Sequence, residues 1–240
     1  MKIEEYGAGN DKTIVMLHGA NFVHCYGRQY ALSKKYHIVV PHIMGFGDEA
    51  DRVFDTDACV AEVAELIKSF SKKVLLVGFS LGAQLGFKLV AEYSKLFCGA
   101  IIVSPWLEKS EATLEEALRE NEKQLATLKN KTLCNLVGLM NGLPKQARKD
   151  FVRHMQNVKS ETIRNCVNNG ISFESVHGFS QVPFPIVALA GSKEQEEIIA
   201  SVKTMNELNP HCQYQIWENA RHNIPPVFAK RFNALIEEMV

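Results

Sequence analysis

The sequence predicts an α/β fold in which a mostly parallel central sheet is flanked by helices and interrupted by a helical insertion. Strand-sized apolar segments alternate with segments of helical periodicity in both end portions of the chain, which is typical of a parallel sheet. Between about residues 107 and 180 only helical patterns occur. A length of 240 residues suits one large α/β domain that carries an insertion. We therefore predict that residues 1–106 and 181–240 form the core and that residues 107–180 form the insertion.

The elements of the predicted core alternate along the chain. Strands are predicted at short apolar or alternating segments, which are residues 14–17, 38–41, 74–77, 100–103, 185–190 and 213–217. Helices are predicted over residues 22–35, 57–70, 81–90, 195–208 and 225–239, and in residues 81–90 apolar residues recur every three or four positions. Asp55 or Thr56 is expected to cap the second of these helices.

The insertion is predicted to contain four helices. Residues 111–129 form a charged amphipathic segment with leucines on one face. The other three segments are residues 133–142, 145–157 and 160–169. The apolar residues of these helices have two possible roles, since most must pack the insertion while a few are expected to face a ligand. The sequence alone does not distinguish the two groups.

Composition and charge restrict the partners. The chain has 27 basic and 27 acidic residues, and this balance argues against nucleic acid and anionic membranes as partners. The apolar runs are strand-sized, so no membrane span is predicted. Six scattered cysteines and an N-terminus without a signal-peptide core indicate reduced thiols and a cytoplasmic protein. No cluster of His, Cys and Asp has the spacing of metal ligands, so no metal is predicted.

The segment around Ser80 carries the main chemical motif. Strand 74–77 runs into Gly78-Phe79-Ser80-Leu81-Gly82, where the periodicity becomes helical. Gly-x-Ser-x-Gly between a strand and a helix is typical of a nucleophile elbow, which exposes its serine on a sharp and strained turn. The alternative is a tight turn with an unreactive serine. The flanking strand and helix and the residues described next favour the elbow.

Glu194 and His222 complete a candidate catalytic set with Ser80. All three residues follow predicted parallel strands, so they are expected to meet at one edge of the sheet. A serine needs a nearby base to become nucleophilic, and a histidine base needs a carboxylate to orient its ring. The chain order Ser, acid, His matches one known arrangement of such a triad. The alternative for His222 is a surface histidine on a loop.

Three other carboxylates compete with Glu194 for the acid role. Glu196 and Glu197 lie nearby, but they are expected to be solvated charges favoured by the dipole at a helix start. Glu108 follows the preceding strand and is a further alternative. We therefore predict Glu194 as the acid.

These motifs resemble those of α/β-hydrolases of the small, lid-bearing esterase and thioesterase kind, over essentially the whole chain. The likeness rests on Gly78–Gly82, on His18-Gly19 after strand 14–17, and on His222. Where the family usually has aspartate, this chain has Glu194. The resemblance implies that residues 107–180 form a lid (cap), and that the backbone N–H groups of Ala20 and Leu81 form an oxyanion hole.

The resemblance further implies a serine hydrolase that cleaves a carboxylic ester or thioester of a small to medium acyl substrate, without a cofactor. The expected substrate-binding residues are Phe22, Trp106, Met140, Leu143, Phe151 and Met155. A monomer or homodimer is expected. Two alternatives remain open at this point. One is a lyase or C–C bond hydrolase that uses the same triad, and the other is a ligand receptor or signalling protein with a slow triad.

Overall fold

The computed structural model describes residues 1–141 and 143–240 of the chain. Within these residues, seven strands form one sheet. The strands are β1 (Ile3–Tyr6), β2 (Thr13–Leu17), β3 (His37–Pro41), β4 (Val74–Phe79), β5 (Phe97–Val103), β6 (Ile186–Gly191) and β7 (Cys212–Trp217). The α-helices are α1 (Thr56–Lys68), α2 (Leu81–Glu92), α3 (Glu111–Leu128), α4 (Lys131–Met140), α5 (Lys145–Asn157), α6 (Ser160–Val167), α7 (Glu196–Leu208), α8 (Ile224–Val227) and α9 (Ala229–Met239).

The sheet is mostly parallel, as the sequence predicts. Its strand order is β1-β3-β2-β4-β5-β6-β7. Strand β1 is antiparallel to β3, and every other pair of neighbours is parallel. The carboxyl ends of β4, β5, β6 and β7 therefore lie side by side, and the loops that leave these strands meet at one edge of the sheet.

The sequence pattern does not predict strand β1. Its four residues include two glutamates, and none of the four is fully buried. The strand forms because it pairs with β3, where Ile3 lies opposite Pro41 and Tyr6 lies opposite Ile38. Tertiary pairing of this kind leaves little trace in local hydrophobicity.

The prediction of one helix over residues 22–35 is wrong. The segment instead forms two short 3₁₀ helices, Val23–Tyr26 and Tyr30–Lys34. Side chains tie it to the rest of the fold, because Tyr26 donates a hydrogen bond to the Leu17 carbonyl at 3.0 Å and Gln29 donates to the Pro225 carbonyl at 3.2 Å. These tertiary contacts outweigh the weak local preference for an α-helix.

The core occupies both faces of the sheet. Successive residues of a strand point to opposite faces, so Val15 and Leu17 join one buried cluster while Ile14 and Met16 join the other. Helices α1, α2 and α7 contribute to the first cluster, and α9 contributes to the second. A parallel sheet buried on both faces has continuous apolar strands, which explains why its inner strands are visible in the sequence.

Four helices, α3 to α6, lie between β5 and β6. Ser110 caps α3 in a reciprocal arrangement with Thr113, and Asn130 caps α4. The segment is tied to the core at both ends, since the Leu107 N–H donates to Ser201 Oγ at 3.0 Å and Thr56 Oγ1 donates to the Asn169 carbonyl at 2.9 Å. The helix predicted over residues 133–142 corresponds to α4, and its last predicted residue, Gly142, lies outside the described residues.

Two further predictions concern the chain as a whole. In the described part of the chain, no helix combines the length and the apolar character needed to cross a membrane. All six cysteines are free, and five of them are buried while Cys98 is exposed.

Candidate active site

Ser80 occupies the sharp turn between β4 and α2. Its backbone has φ 55° and ψ −116°, which is a strained region for a residue with a side chain. The turn is held because the Ser80 N–H donates to the Val103 carbonyl at 2.9 Å. The flanking glycines have no room for a side chain, since a Cβ atom at Gly82 would lie 2.1 Å from the Leu17 carbonyl oxygen, and one at Gly78 would lie 2.4 Å from the Gly82 carbonyl oxygen.

The fold brings Ser80, His222 and Glu194 into one hydrogen-bonded chain. His222 Nε2 lies 2.9 Å from Ser80 Oγ, and His222 Nδ1 lies 2.6 Å from Glu194 Oε1. A carboxylate can only accept, so in the neutral imidazole Nδ1 carries the proton and Nε2 is free to accept from the serine hydroxyl. The geometry suits a base that removes the proton of Ser80.

The carboxylate of Glu194 is buried, and both of its oxygens are hydrogen-bonded. Its side chain is 1% exposed, whereas that of His222 is half exposed. Oε2 accepts from Ser104 Oγ at 2.8 Å and from the Gly191 N–H at 2.7 Å. With the bond from His222, three donors hold the carboxylate in place, as a buried charge requires.

Ser104 is a site residue that the motifs do not reveal. It follows β5 directly, its φ is 54°, and its N–H donates to the Leu189 carbonyl at 2.7 Å. The available signal was its position, because a serine directly after a buried strand lies at the same sheet edge as Ser80. In the structure this serine links the acid to the strand beside the elbow.

None of the three competing carboxylates is hydrogen-bonded to His222. Glu108 accepts a hydrogen bond from Thr204 Oγ1 at 2.6 Å. Glu196 and Glu197 lie in the first turn of α7. Among the described residues, Glu194 is the one carboxylate that is hydrogen-bonded to His222.

The candidate oxyanion hole lies beside Ser80. Ala20 and Ser80 line the same cavity. Leu81 is the first residue of α2, and the N–H groups at the start of a helix have no partner within that helix. The structure thus places both predicted residues next to the nucleophile.

His18 supports this loop as a neutral imidazole. The ring is fully buried, and its burial lowers its pKa to about 3. Nε2 accepts from the Ile43 N–H at 3.0 Å, so Nδ1 is the protonated nitrogen and donates to the Gly19 carbonyl at 2.8 Å. His18 therefore fixes the backbone that leads into Ala20.

Two cavities meet at Ser80 and His222. The polar cavity, of about 570 Å³, extends between α3 and the start of α7. Its lining includes Gln84, Glu116, Glu120, Gln124, Glu196 and Glu197. The apolar cavity, of about 330 Å³, extends toward α4 and α5. Its apolar lining consists of Ala20, Phe22, Phe79, Leu128, Val137 and Phe151. Polar side chains also border it, which are Asn21, Asn121, Gln124, Asn141, Arg221 and Asn223.

The predicted substrate-binding residues fall into two groups. Phe22 and Phe151 line the apolar cavity, with ring centroids 5.7 Å apart, and Trp106 lines the polar cavity. The other three do not line either cavity in the described part of the chain. Leu143 and Met155 are buried in packing, and Met140 is 76% exposed.

Leu128 and Val137 line the apolar cavity although they were not among the predicted site residues. Periodicity identifies the apolar face of a helix, but it does not show which part of that face meets a cavity.

The structure offers no candidate metal centre in the residues that it describes. No group of three or more His, Cys, Asp or Glu side chains within residues 1–141 and 143–240 has a suitable arrangement.

Comparison with known proteins finds a family model and solved structures that match nearly the whole chain. The family model described as alpha/beta hydrolase fold matches residues 12–227. A similar solved structure is the bromoperoxidase from Bacillus anthracis, with 16% identity and a TM-score of 0.77 over 99% of this chain and 94% of that chain. A thermophilic esterase from Thermogutta terrifontis has 17% identity and a TM-score of 0.74 over 99% of this chain and 91% of that one.

A mutant of the meta-cleavage product hydrolase CumD is also similar, with 16% identity and a TM-score of 0.72 over 99% of this chain and 93% of that one. At such identities the likeness of the structures shows the fold alone. No curated protein matches the chain by sequence.

Proposed function

The chain belongs to the alpha/beta hydrolase fold family, and we propose that it is a serine hydrolase that cleaves a carboxylic ester or thioester with a small to medium acyl group. The observation that carries this proposal is the chain of hydrogen bonds from Ser80 through His222 to Glu194, with distances of 2.9 and 2.6 Å. The strained turn at Ser80 and the two cavities that meet there support it further.

Acylation begins with the attack of Ser80 Oγ on the acyl carbon. His222 Nε2 takes the serine proton, and the buried carboxylate of Glu194 stabilises the resulting imidazolium. The N–H groups of Ala20 and Leu81 hold the negative charge that develops on the carbonyl oxygen. His222 then gives its proton to the departing alcohol or thiol, and the acyl group remains on Ser80.

Deacylation repeats these steps with water as the nucleophile. His222 Nε2 removes a proton from water, which attacks the acyl-enzyme, and the proton returns to Ser80 Oγ as the acid leaves. The half-exposed ring of His222 supports this step, because water can reach the ring from the cavities that it lines.

A substrate panel tests the proposal against the two other function classes. The panel consists of p-nitrophenyl esters with acyl chains of two to ten carbons, the matching thioesters, a 1,3-diketone and an enol-pyruvyl compound. We expect turnover of esters or thioesters by the wild-type protein and none by Ser80→Ala. Turnover of the diketone or the enol-pyruvyl compound alone would indicate C–C bond hydrolysis or a lyase.

A fluorophosphonate probe, used with the same panel, tests the receptor alternative. If the folded wild-type protein turns over no member of the panel and its Ser80 resists a fluorophosphonate probe, the triad is idle and the proposal fails. A receptor would then be sought by its binding of a protein partner.

A further inference from the structure

Gln84 holds a side-chain amide inside the polar cavity. The residue lies one helical turn after Ser80 on α2, and its backbone N–H donates to the Ser80 carbonyl at 3.1 Å. Its side chain lines the polar cavity, yet Gln84 is only 6% exposed. A polar side chain so deeply buried normally satisfies its donors and acceptors within the protein.

The hydrogen bonds around Asn169 fix the orientation of this amide. Asn169 Oδ1 accepts from the Ile171 N–H at 2.9 Å and from Lys109 Nζ at 2.8 Å, so Nδ2 is the donor end of the Asn169 amide. Asn169 Nδ2 donates to Gln84 Oε1 at 2.7 Å. The NH₂ end of Gln84 therefore faces away from Asn169.

Nε2 of Gln84 is the donor end of the side-chain amide. Within the described residues, no protein group accepts a hydrogen bond from it, although Gln84 Oε1 is engaged. The atom is open to the cavity rather than sealed in the core. A ligand oxygen at this point would accept from Nε2 in place of water, and the exchange gives the modest net gain of one hydrogen bond.

The rest of the polar cavity suits a ligand group that donates hydrogen bonds as well as accepting them. Glu116, Glu120, Glu196 and Glu197 line it, and none of them forms an ion pair within the described residues. No lysine or arginine from the described residues lines this cavity. Such a wall repels anions, whereas hydroxyl groups both donate to carboxylates and accept from an amide.

The apolar cavity lies on the other side of the nucleophile. Phe22, Leu128, Val137 and Phe151 form an apolar part of its wall that suits a hydrocarbon chain, although amide side chains border the cavity as well. Because Ser80 and His222 line both cavities, a bound ester would place its reacting carbonyl where the two cavities meet.

We propose that the substrate is an ester of a neutral polyhydroxylated alcohol, with its acyl chain in the apolar cavity and its alcohol in the polar cavity, where one oxygen accepts from Gln84 Nε2. This inference rests on the proposed ester hydrolysis. In this proposal Gln84 determines the specificity for the alcohol, since its side chain contacts the leaving alcohol and takes no part in proton transfer.

The test compares three hexanoate esters that differ in the alcohol. These are glycerol 1-hexanoate, propyl hexanoate, which lacks both free hydroxyls, and the hexanoyl ester of glycolate, which carries a carboxylate. For the wild-type protein we expect kcat/KM to be at least about tenfold higher for the glycerol ester than for the propyl ester, and lowest for the glycolate ester. A tenfold difference corresponds to about 1.4 kcal/mol, which is within the net contribution of one hydrogen bond.

Gln84→Met removes the amide with little change of volume. We expect it to lower kcat/KM for the glycerol ester about tenfold and to leave the propyl ester within about twofold of wild type. Gln213→Met, at an exposed position on β7, is the matched control and should change neither value. If Gln84→Met does not fold, Gln84→Glu retains an acceptor for Asn169, removes the NH₂ donor and should show the same selective loss.

Equal values for the glycerol and propyl esters in the wild-type protein would overturn the inference, as would an equal loss for both esters in the folded Gln84 variants. A fourth ester, hexanoylcholine, serves as a further check: if it were cleaved faster than the glycerol ester, the inference would also be overturned, because the carboxylates would then select a cation. In all these cases the protein still cleaves hexanoate esters, so the proposed ester hydrolysis stands. Failure to cleave p-nitrophenyl esters as well would instead overturn the proposed function.

Discussion

His222 Nδ1 lies 2.6 Å from Oε1 of Glu194, and the other oxygen of this carboxylate accepts from Ser104 and from the Gly191 backbone. The glutamate thus occupies the position where the resemblance leads one to expect an aspartate. Its three donors come from the residue directly after β5, from the end of β6 and from the loop after β7. The proposed acid is therefore held by the same sheet edge that carries the nucleophile.

Glu194→Gln should lower kcat by about 10²–10⁴ and leave the fold intact. The amide keeps the size of the side chain, but the imidazolium loses its counter-charge and His222 loses the partner that selects its tautomer. Steady-state kinetics with a p-nitrophenyl ester, together with a melting curve, measure this effect.

Glu108→Gln is the matched control, because Glu108 is bonded to Thr204 and should not affect turnover. Full activity of Glu194→Gln would remove this glutamate from the triad and direct attention to Glu196 and Glu197.

Ser104→Ala should lower kcat by roughly tenfold, since it removes one of the three donors to Glu194. We regard Ser104 as a positioning residue, because it acts through Glu194. In the background of Glu194→Gln, the same substitution should therefore cost less than about twofold. Additive losses in this double-mutant cycle would contradict the assignment and indicate that Ser104 acts on the substrate directly.

The sequence predicts the inner sheet and the elbow because both depend on strong local patterns. Strands β2, β4, β5 and β6 are buried on both faces and are therefore continuous apolar runs. Strand β1 and the 3₁₀ segments over residues 23–34 depend on tertiary contacts, which local patterns do not record. Edge pairing and side-chain anchoring thus account for the errors in the predicted fold.

The residues of the candidate site also fall into those that the sequence predicts and those that it does not. Positions at the ends of parallel strands are visible in the sequence, and the structure places Ser80, Glu194 and His222 together. The lining of the cavities is not visible, because it depends on the rotation of the helices between β5 and β6. Met140 and Phe151 show this difference, since both are apolar residues on predicted helices, yet one is exposed and the other lines the apolar cavity.

Phe151→Leu should shift the acyl preference toward longer chains. The smaller side chain lengthens the apolar cavity, and a methylene-scale change in such a wall alters discrimination by about 1–3 kcal/mol. We expect the ratio of kcat/KM for octanoyl over butanoyl p-nitrophenyl esters to rise about tenfold.

Two controls separate selectivity from packing. Met140→Leu, at an exposed position, should change neither the ratio nor the melting temperature, whereas Met155→Leu, in the packed interior, should lower the melting temperature alone. A ratio that stays constant in Phe151→Leu would remove this wall from the account of specificity.

His18 should make the protein less stable in acid. In the native state its burial lowers the pKa to about 3, whereas in the unfolded chain the pKa is ordinary, near 6.5. The unfolded state thus binds more protons between these values, and the free energy of unfolding should fall by about 1.4 kcal/mol per pH unit below pH 6.5 on account of this residue. Urea unfolding between pH 7 and pH 4.5 measures the slope.

His18→Asn lacks a titrating ring and should have the shallower slope, although it is expected to be less stable at pH 7. His177→Asn, at an exposed position, should retain the wild-type slope. Equal slopes for all three proteins would show that His18 does not resist protonation in the native state.

The formation of an acyl-enzyme on Ser80 tests the central proposal most directly. Rapid mixing of the wild-type protein with a p-nitrophenyl ester, acid quenching and mass spectrometry of the peptide that contains residue 80 would detect the intermediate. The proposed mechanism predicts a burst of p-nitrophenol and an acyl group on Ser80, with neither in Ser80→Ala. Hydrolysis of the ester by a folded Ser80→Ala variant, or acylation at another residue, would contradict it.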